Sequence, residues 1–127
     1  MDAVDTNVLV RLTLRDDDEQ VRLAEEVIAD GVWISHLVLA EMTWVLRRSY
    51  GLGHDEVAEV VAGLLHHEQI TIQAPHVVIE ALRLYRLRPS LGFGDCLILE
   101  IARDAGRIPL RTFDRDLANV HGAKRIA

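Results

Sequence analysis

The N-terminal stretch MDAVDTNVLVRLTL, residues 1–14, joins a predicted strand to a predicted helix. A short apolar segment comes first, and a longer apolar run begins at Val8. Asp5, Thr6 and Asn7 lie between them, and these residue types favour turns and helix N-caps because their side chains bond nearby backbone N–H groups. We therefore place Asp5 where a strand ends and a helix begins. In open α/β sheets, ligands bind just outside such strand ends.

Length and composition indicate one globular domain with an aliphatic core. The chain has 127 residues, of which 50% are hydrophobic and only 5% aromatic. Twenty acidic residues against 14 basic ones give a formal net charge of −6, which argues against a general nucleic-acid coat protein. The composition still allows an enzyme that contacts nucleic acid through a local arginine patch. Nearly all the basic residues are arginines, since Lys124 is the only lysine.

The single cysteine, Cys96, excludes an internal disulfide and fits a reducing cytoplasm. No charged and apolar leader is visible at the N-terminus, and no apolar run approaches the ~18 residues of a membrane span. We therefore expect a cytoplasmic protein without a membrane segment.

Short apolar strands alternate with amphipathic helices along the whole chain. This order predicts an α/β fold with a mainly parallel central sheet of about four or five short strands and helices on both faces. We treat residues 1–127 as a single domain. The predicted strands are residues 1–4, 32–34, 70–72, 108–112 and 123–126.

The helix predicted over residues 36–50 carries an acid in an apolar stripe. Ser35 is the expected N-cap. Helical spacing places Leu37, Trp44 and Glu41 on one face, together with Ala40 and Val45. A carboxylate there costs free energy unless it is paired or binds a cation. Glu41 is therefore a site residue, a partner of Arg47 or Arg48, or a residue at the edge of the stripe.

Two further acids follow loops or strands in the C-terminal half. Asp95 lies in the first turn of a predicted helix, where a capping role explains it locally. Asp114 directly follows the strand ending at Thr112, and Asp116 lies two residues beyond it. Arg83, Arg86 and Arg88 form a basic cluster that is either solvated surface or a contact for phosphates.

Four of these carboxylates are consistent with one shared cation-binding site. Parallel strands present their carboxyl ends at one edge of a sheet, so Asp5, Glu41, Asp95 and Asp114 are expected to converge. Acids within ~5 Å of one another repel and raise each other's pKa. A divalent cation removes that penalty, and oxygen ligands suit Mg²⁺ or Mn²⁺. Such a site orients a phosphate and activates water.

The motifs that carry these acids resemble the PIN-domain family, and most closely the stand-alone VapC-type toxins of toxin–antitoxin pairs. The matching segments cover the chain in order: VDTNVLVR from Val4, Ser35 with Glu41 six residues on, FGDCLI from Phe93 and TFDRDL from Thr112. Gly94 and Cys96 flank Asp95 where the family more often has other small residues.

The resemblance implies a Mg²⁺- or Mn²⁺-dependent endoribonuclease. It makes Asp5, Glu41, Asp95 and Asp114 the catalytic acids, with Asp5, Asp95 and Asp114 as metal ligands. Thr6, Thr112 and Asp116 are implied as supporting residues, and Asp116 is the alternative fourth acid. We also predict that Arg11 and Arg86 contact RNA.

The resemblance further implies a cognate small antitoxin and a homodimer, with a higher toxin–antitoxin assembly as a further form. We expect apolar surface for these contacts within residues 17–65, with Trp33, Trp44 and Leu46 as candidates for exposure.

Other functional classes fit the sequence less well. A PIN-type nuclease of RNA processing without a toxin role shares every motif. Receiver-like or phosphatase-like phosphoryl-transfer domains need a lysine after a late strand, and the only lysine is Lys124. A non-catalytic interaction module, with all the acids as caps or solvated charges, is the remaining alternative.

Overall fold

The computed structural model describes residues 1–127, which form two units, residues 1–75 and 76–127. The elements of the first unit are β1 (Asp2–Ala3), α1 (Thr6–Leu14), α2 (Asp18–Ala29), β2 (Val32–Ile34), α3 (His36–Arg48), α4 (His54–His66) and β3 (Ile70–Ile72). The remaining elements are α5 (Pro75–Leu87), α6 (Phe93–Asp104), β4 (Leu110–Thr112), α7 (Arg115–Ala118) and β5 (Ala123–Arg125).

Every strand pair is parallel, as the alternation of strands and helices predicts. In the first unit the strand order is β1-β2-β3, with Ala3 opposite Trp33 and Trp33 opposite Thr71. In the second unit β4 pairs with β5, and Arg111 lies opposite Lys124. The α/β class with short parallel strands is therefore confirmed, and the five strands pair as one set of three and one set of two.

Side-chain caps fix where several helices begin. The Ser35 hydroxyl accepts a hydrogen bond from the Val38 N–H at 3.1 Å, and α3 starts at the next residue as expected. Helix α5 begins at Pro75, also as expected, since the fixed φ of proline suits a first helical turn. Helix α1 begins at Thr6, two residues before the apolar run, because Asp5 is its N-cap.

The buried face of α3 differs from the predicted one. Leu39, Met42 and Leu46 are fully buried, whereas Leu37 and Trp44 are 75% and 62% exposed. Both stripes of this helix are apolar, so spacing alone favours neither, and packing against α1 and α4 selects the first. The predicted exposure of Trp33 and Trp44 is confirmed, and that of Leu46 is wrong.

In the second unit, the amphipathic spacing of α5 gives the predicted core face. Val78, Ala81, Leu82 and Tyr85 are buried, and the Tyr85 ring meets Phe93 edge-on with centroids 5.6 Å apart. This contact holds the start of α6 against α5. No helix of the protein combines the length and apolar character needed to cross a membrane.

Candidate active site

Asp5 and Glu41 line one small cavity in the first unit. Asp5 follows β1, and α3 follows β2, so these parallel neighbours bring the residues that follow them to one edge of the sheet. The cavity has a volume of about 250 Å³ and is lined by Asp5, Thr6, Asn7, Leu37, Val38, Glu41 and Val45. The predicted meeting of Asp5 with Glu41 therefore has a structural basis.

Glu41 lies on the solvent-facing side of α3, so its predicted inward orientation is wrong. The reason is the choice of buried face, which leaves Leu37 and Glu41 exposed while Leu39 and Met42 enter the core. No ion pair joins Glu41 to Arg47 or Arg48. The alternative reading of Glu41 as a salt-bridge partner therefore fails, and its carboxylate is free to face the cavity.

Asp5 forms only a weak N-cap hydrogen bond at the start of α1. The Val8 N–H donates to its Oδ1 at 3.5 Å, the outer limit of a hydrogen bond. The side chain is exposed, and no cation pairs with it. Asp5 therefore keeps most of its capacity to accept bonds from another ligand.

Asp95 and Asp114 interact in the second unit. Burial of Asp95 raises the pKa of its carboxyl group, and the negative charge of Asp114 raises it further. Asp95 lies in the first turn of α6, but the N-cap is Gly92, so the predicted capping role for Asp95 is wrong. Without a cap bond its carboxylate is available for chemistry.

Asp114 and Asp116 occupy different positions around α7. Asp114 is the N-cap, and its Oδ1 accepts the Leu117 N–H at 2.9 Å. The Thr112 hydroxyl accepts the Asp114 N–H at 3.0 Å, which fixes the turn between β4 and α7. Asp116 lies within the first turn of α7 and does not contribute to the pKa shift of Asp95.

The supporting and RNA-contacting candidates fall in varied surroundings. Thr6 is buried in the wall of the Asp5 cavity. Arg11 already donates to Asp16 at 2.8 Å and to the Tyr50 hydroxyl at 2.9 Å, so its guanidinium is held on the first unit. Arg86 is exposed near the end of α5.

Asn7 belongs to the cavity, although the sequence indicated only a turn residue there. Its amide adds an oxygen and two N–H donors beside Asp5. The available signal was its position two residues after Asp5 in the same turn, since side chains of one turn often share one pocket.

Cys96, next to Asp95, is buried, and its thiol is expected to be unreactive. Burial, with smaller contributions from Asp95 and Glu100, raises the pKa of its thiol to about 12. The thiolate is the nucleophilic form of cysteine, and burial disfavours it, so we interpret Cys96 as a packing residue.

Each unit contains one pair of these acids, Asp5 with Glu41 in the first and Asp95 with Asp114 in the second. No group of three or more His, Cys, Asp or Glu side chains is arranged closely enough to hold a metal ion. Each pair supplies only oxygen ligands, the donor set that Mg²⁺ and Mn²⁺ prefer.

Comparison with known protein families finds a match over most of the chain. The profile of the family described as "PIN domain" matches residues 3–123, which covers every motif discussed above. No curated protein and no solved structure matches the sequence.

Proposed function

Because the chain belongs to the PIN domain family, whose members are generally nucleases, we propose that it is a metal-dependent endoribonuclease acting as the toxin of a toxin–antitoxin pair. The observation that carries this proposal is the pairing of exposed or half-buried acids just beyond parallel strands: Asp5 with Glu41, and Asp95 with Asp114. Carboxylates without cationic partners at such positions can hold the cation that metal-dependent phosphodiester hydrolysis requires.

The oxygen donors of these acids suit Mg²⁺ or Mn²⁺. We propose Asp5, Asp95 and Asp114 as the ligands, because they match the acids of the family motifs and none of them has a basic partner. The raised pKa of Asp95 also indicates that its site disfavours an uncompensated negative charge, which a cation would relieve. When bound, the ion would supply charge neutralisation at the phosphate and a lowered pKa for an attacking water molecule.

The protein side chains have distinct proposed tasks. Glu41, exposed at the edge of the cavity, or Asp95 orients the water by accepting its hydrogen bond. Thr6 and Thr112 support this set: Thr6 lines the wall beside Asp5, and Thr112 fixes the Asp114 turn. We propose that the four acids act as one set within a single domain of residues 1–127, with Asp116 outside it.

The reaction is tested by the ends that it leaves. We propose that water attacks the phosphorus and the 3′-oxygen leaves, which gives a 5′-phosphate and a 3′-hydroxyl. The sequence offers no Ser–His or Cys–His arrangement and no obvious His pair for attack by the 2′-hydroxyl. We expect cleavage of an end-labelled RNA that stops in excess EDTA and falls roughly 100-fold or more in Asp5→Asn. Asp2→Asn, which removes an exposed acid outside the cavity, is the matched control. Cyclic phosphate ends, or full activity in EDTA, would contradict the mechanism.

The proposed partners are RNA, a cognate antitoxin and a second copy of the chain. A cavity of about 520 Å³, with Leu12, Ile28, Leu64 and Ile70 in its wall, offers an apolar seat for a partner segment in the first unit. Exposed Trp33 and Trp44 give further apolar contact area. We propose a homodimer that assembles further with antitoxin in the cytoplasm.

Inhibition is proposed to use an arginine of the antitoxin. Acids without bound metal accept a guanidinium through bidentate hydrogen bonds, so an arginine near Asp5 and Asp95 would compete with the cation.

Expression in cells tests the toxin role. We expect expression of the protein alone to arrest growth and co-expression of a small protein encoded beside it to restore growth. A protein that cleaves RNA in vitro yet is harmless in cells and binds no small partner is a nuclease of RNA processing instead.

A further inference from the structure

The C-terminal segment reverses the charge of the rest of the chain. Residues 107–126 contain five basic residues and two acidic ones, whereas residues 1–106 contain nine basic and eighteen acidic residues. Both acids of the segment, Asp114 and Asp116, belong to the turn around α7. The whole protein carries a net negative charge and therefore repels polyanions in general. A cationic surface confined to one segment therefore indicates a specific anionic ligand.

Two of these cations lie side by side on one face of the small sheet. Arg111 of β4 is in register with Lys124 of β5, and parallel strands lie about 4.8 Å apart. Residues in register point to the same face, and both side chains are exposed while Leu110 and Ala123 are half-buried. Like charges opposite each other on neighbouring strands repel, so this arrangement costs free energy unless an anion lies between them.

No carboxylate neutralises this pair. Neither Arg111 nor Lys124 forms an ion pair, and the same holds for Arg107, Arg115 and Arg125. Arginines elsewhere in the chain form ion pairs with nearby acids: Arg11, Arg15, Arg22, Arg83 and Arg103. The cations of the β4–β5 face therefore keep their full charge for a ligand.

An exposed aromatic ring adjoins this face. Phe113 is 71% exposed and lies between Thr112, the last residue of β4, and Asp114, the N-cap of α7. A phenyl ring left in water is unfavourable by the hydrophobic effect, and every nucleobase has a face that can cover it. Cations that follow a backbone, next to an aromatic ring, are the combination by which single strands are bound.

We infer that the β4–β5 face, defined by Arg111, Lys124 and Phe113, binds single-stranded RNA and leads it to Asp114. The two cations contact backbone phosphates, and the Phe113 ring stacks on a base. The inference rests on the proposed function in taking RNA as the substrate, and it assigns the binding surface to residues outside the acid set. Arg111, Lys124 and Phe113 are thus positioning residues.

The direct test is the salt dependence of RNA binding. Anisotropy of a labelled oligouridylate is measured in excess EDTA, where metal-dependent cleavage is stopped, for the intact chain and for Arg111→Gln/Lys124→Gln. Removing two phosphate contacts should reduce the slope of log K against log salt by about 1.4 and weaken binding several-fold at low salt. Arg111→Lys/Lys124→Arg keeps both charges and should keep the slope.

A matched control removes two charges elsewhere. Arg22→Gln/Arg83→Gln changes the net charge equally, but Arg22 is bound by Glu19 and Glu26, and Arg83 by Glu80. This variant should bind RNA with an unchanged slope. Equal losses in both double variants, or none in Arg111→Gln/Lys124→Gln, would overturn the inference, as would displacement of the RNA by polyglutamate at equal charge concentration.

Phe113 is tested by ring replacement. Phe113→Ala should weaken RNA binding roughly fivefold or more through lost stacking, and Phe113→Trp should restore it. Failure here is distinct from failure of the proposed function. RNA cleavage that needs Asp5 but a binding constant insensitive to Arg111, Lys124 and Phe113 would leave a nuclease with another RNA surface. Binding that needs these residues without any cleavage would leave an RNA-binding protein that is not a nuclease.

Discussion

Asp114 and Asp116 are both acidic, exposed and two residues apart, yet their chemical surroundings differ. Asp114 perturbs the ionisation of Asp95, whereas Asp116 does not. Asp114 also caps α7, but asparagine caps a helix as well as aspartate does. An Asp-to-Asn change at either position therefore removes a charge while the local fold is kept.

We predict that Asp114→Asn lowers metal-dependent RNA cleavage by at least about tenfold more than Asp116→Asn does. The physical reason is that only Asp114 shares its electrostatic surroundings with Asp95. Initial rates at several Mn²⁺ concentrations measure the effect, and thermal melting of both variants controls for folding. The opposite order of activities would assign the fourth acid to Asp116.

The raised pKa of Asp95 predicts how stability depends on pH in EDTA. The carboxyl group of Asp95 binds its proton more tightly in the native state than in the unfolded chain, where its pKa is 3.8. Stability from this group is therefore present below that value and is lost as pH rises through the folded pKa. Asp95→Asn should melt higher than the parent protein at pH 7, and the difference should vanish as pH falls towards 3.8.

Melting curves across this range in EDTA measure the effect. Asp2→Asn, which removes an exposed acid outside the cavity, is the control variant. Equal melting temperatures of Asp95→Asn and the parent protein at every pH would show that the charge of Asp95 does not destabilise the folded state.

At the scale of elements, helix α3 connects the core to the site. One face carries Leu39, Met42 and Leu46 into the core, and the opposite side presents Glu41 to the cavity beside Asp5. Its start is fixed by the Ser35 cap, which directly follows β2. A shift of this start would rotate Glu41 relative to Asp5.

We therefore predict that Ser35→Ala destabilises the protein by ~1 kcal/mol, because the N-cap hydrogen bond to Val38 is lost. Cleavage should also decrease, because the first turn of α3 becomes less ordered. Urea unfolding measures the first effect. Ser35→Asp, which restores a cap, should recover stability, and an unchanged Ser35→Ala midpoint would show that packing alone fixes α3.

At the scale of the whole molecule, the family profile spans both units, residues 1–75 and 76–127. The two tryptophans, Trp33 and Trp44, lie in the first unit, whereas both units contain helices. Fluorescence therefore follows one unit, and far-ultraviolet circular dichroism follows both.

If residues 1–127 form a single cooperative domain, thermal transitions by fluorescence and by circular dichroism should coincide. We predict one common midpoint. A fluorescence midpoint that differs from the dichroism midpoint, or a second dichroism transition, would show that the units unfold separately.

Metal binding should stabilise the folded protein by mass action. At a concentration of Mn²⁺ about 100 times its Kd, the gain is about 2.7 kcal/mol, enough to raise Tm by several degrees. We predict that Asp5→Asn and Asp95→Asn each abolish most of this shift. NaCl at matched ionic strength is the control, and a shift lost in only one variant would confine the metal to one acid pair.

The sequence by itself determined the alternation of strands and helices and the caps at Asp5 and Ser35. These features depend on residues close together in the chain, where hydrogen bonds between side chain and backbone and apolar periodicity act locally. The motifs that resemble the PIN-domain family have the same local character, and the match over residues 3–123 confirms the family.

Only the tertiary structure decided which face of α3 is buried, that Asp114 acts on Asp95, and that Arg111 lies beside Lys124. Helix α3 is apolar on two sides, so its orientation depends on the shape of its neighbours α1 and α4. The other two contacts join residues far apart in sequence, and strand register and packing set them. The order of strands and helices predicts that acids following parallel strands converge. It does not define the register of those strands, because the same residues satisfy local rules in any register.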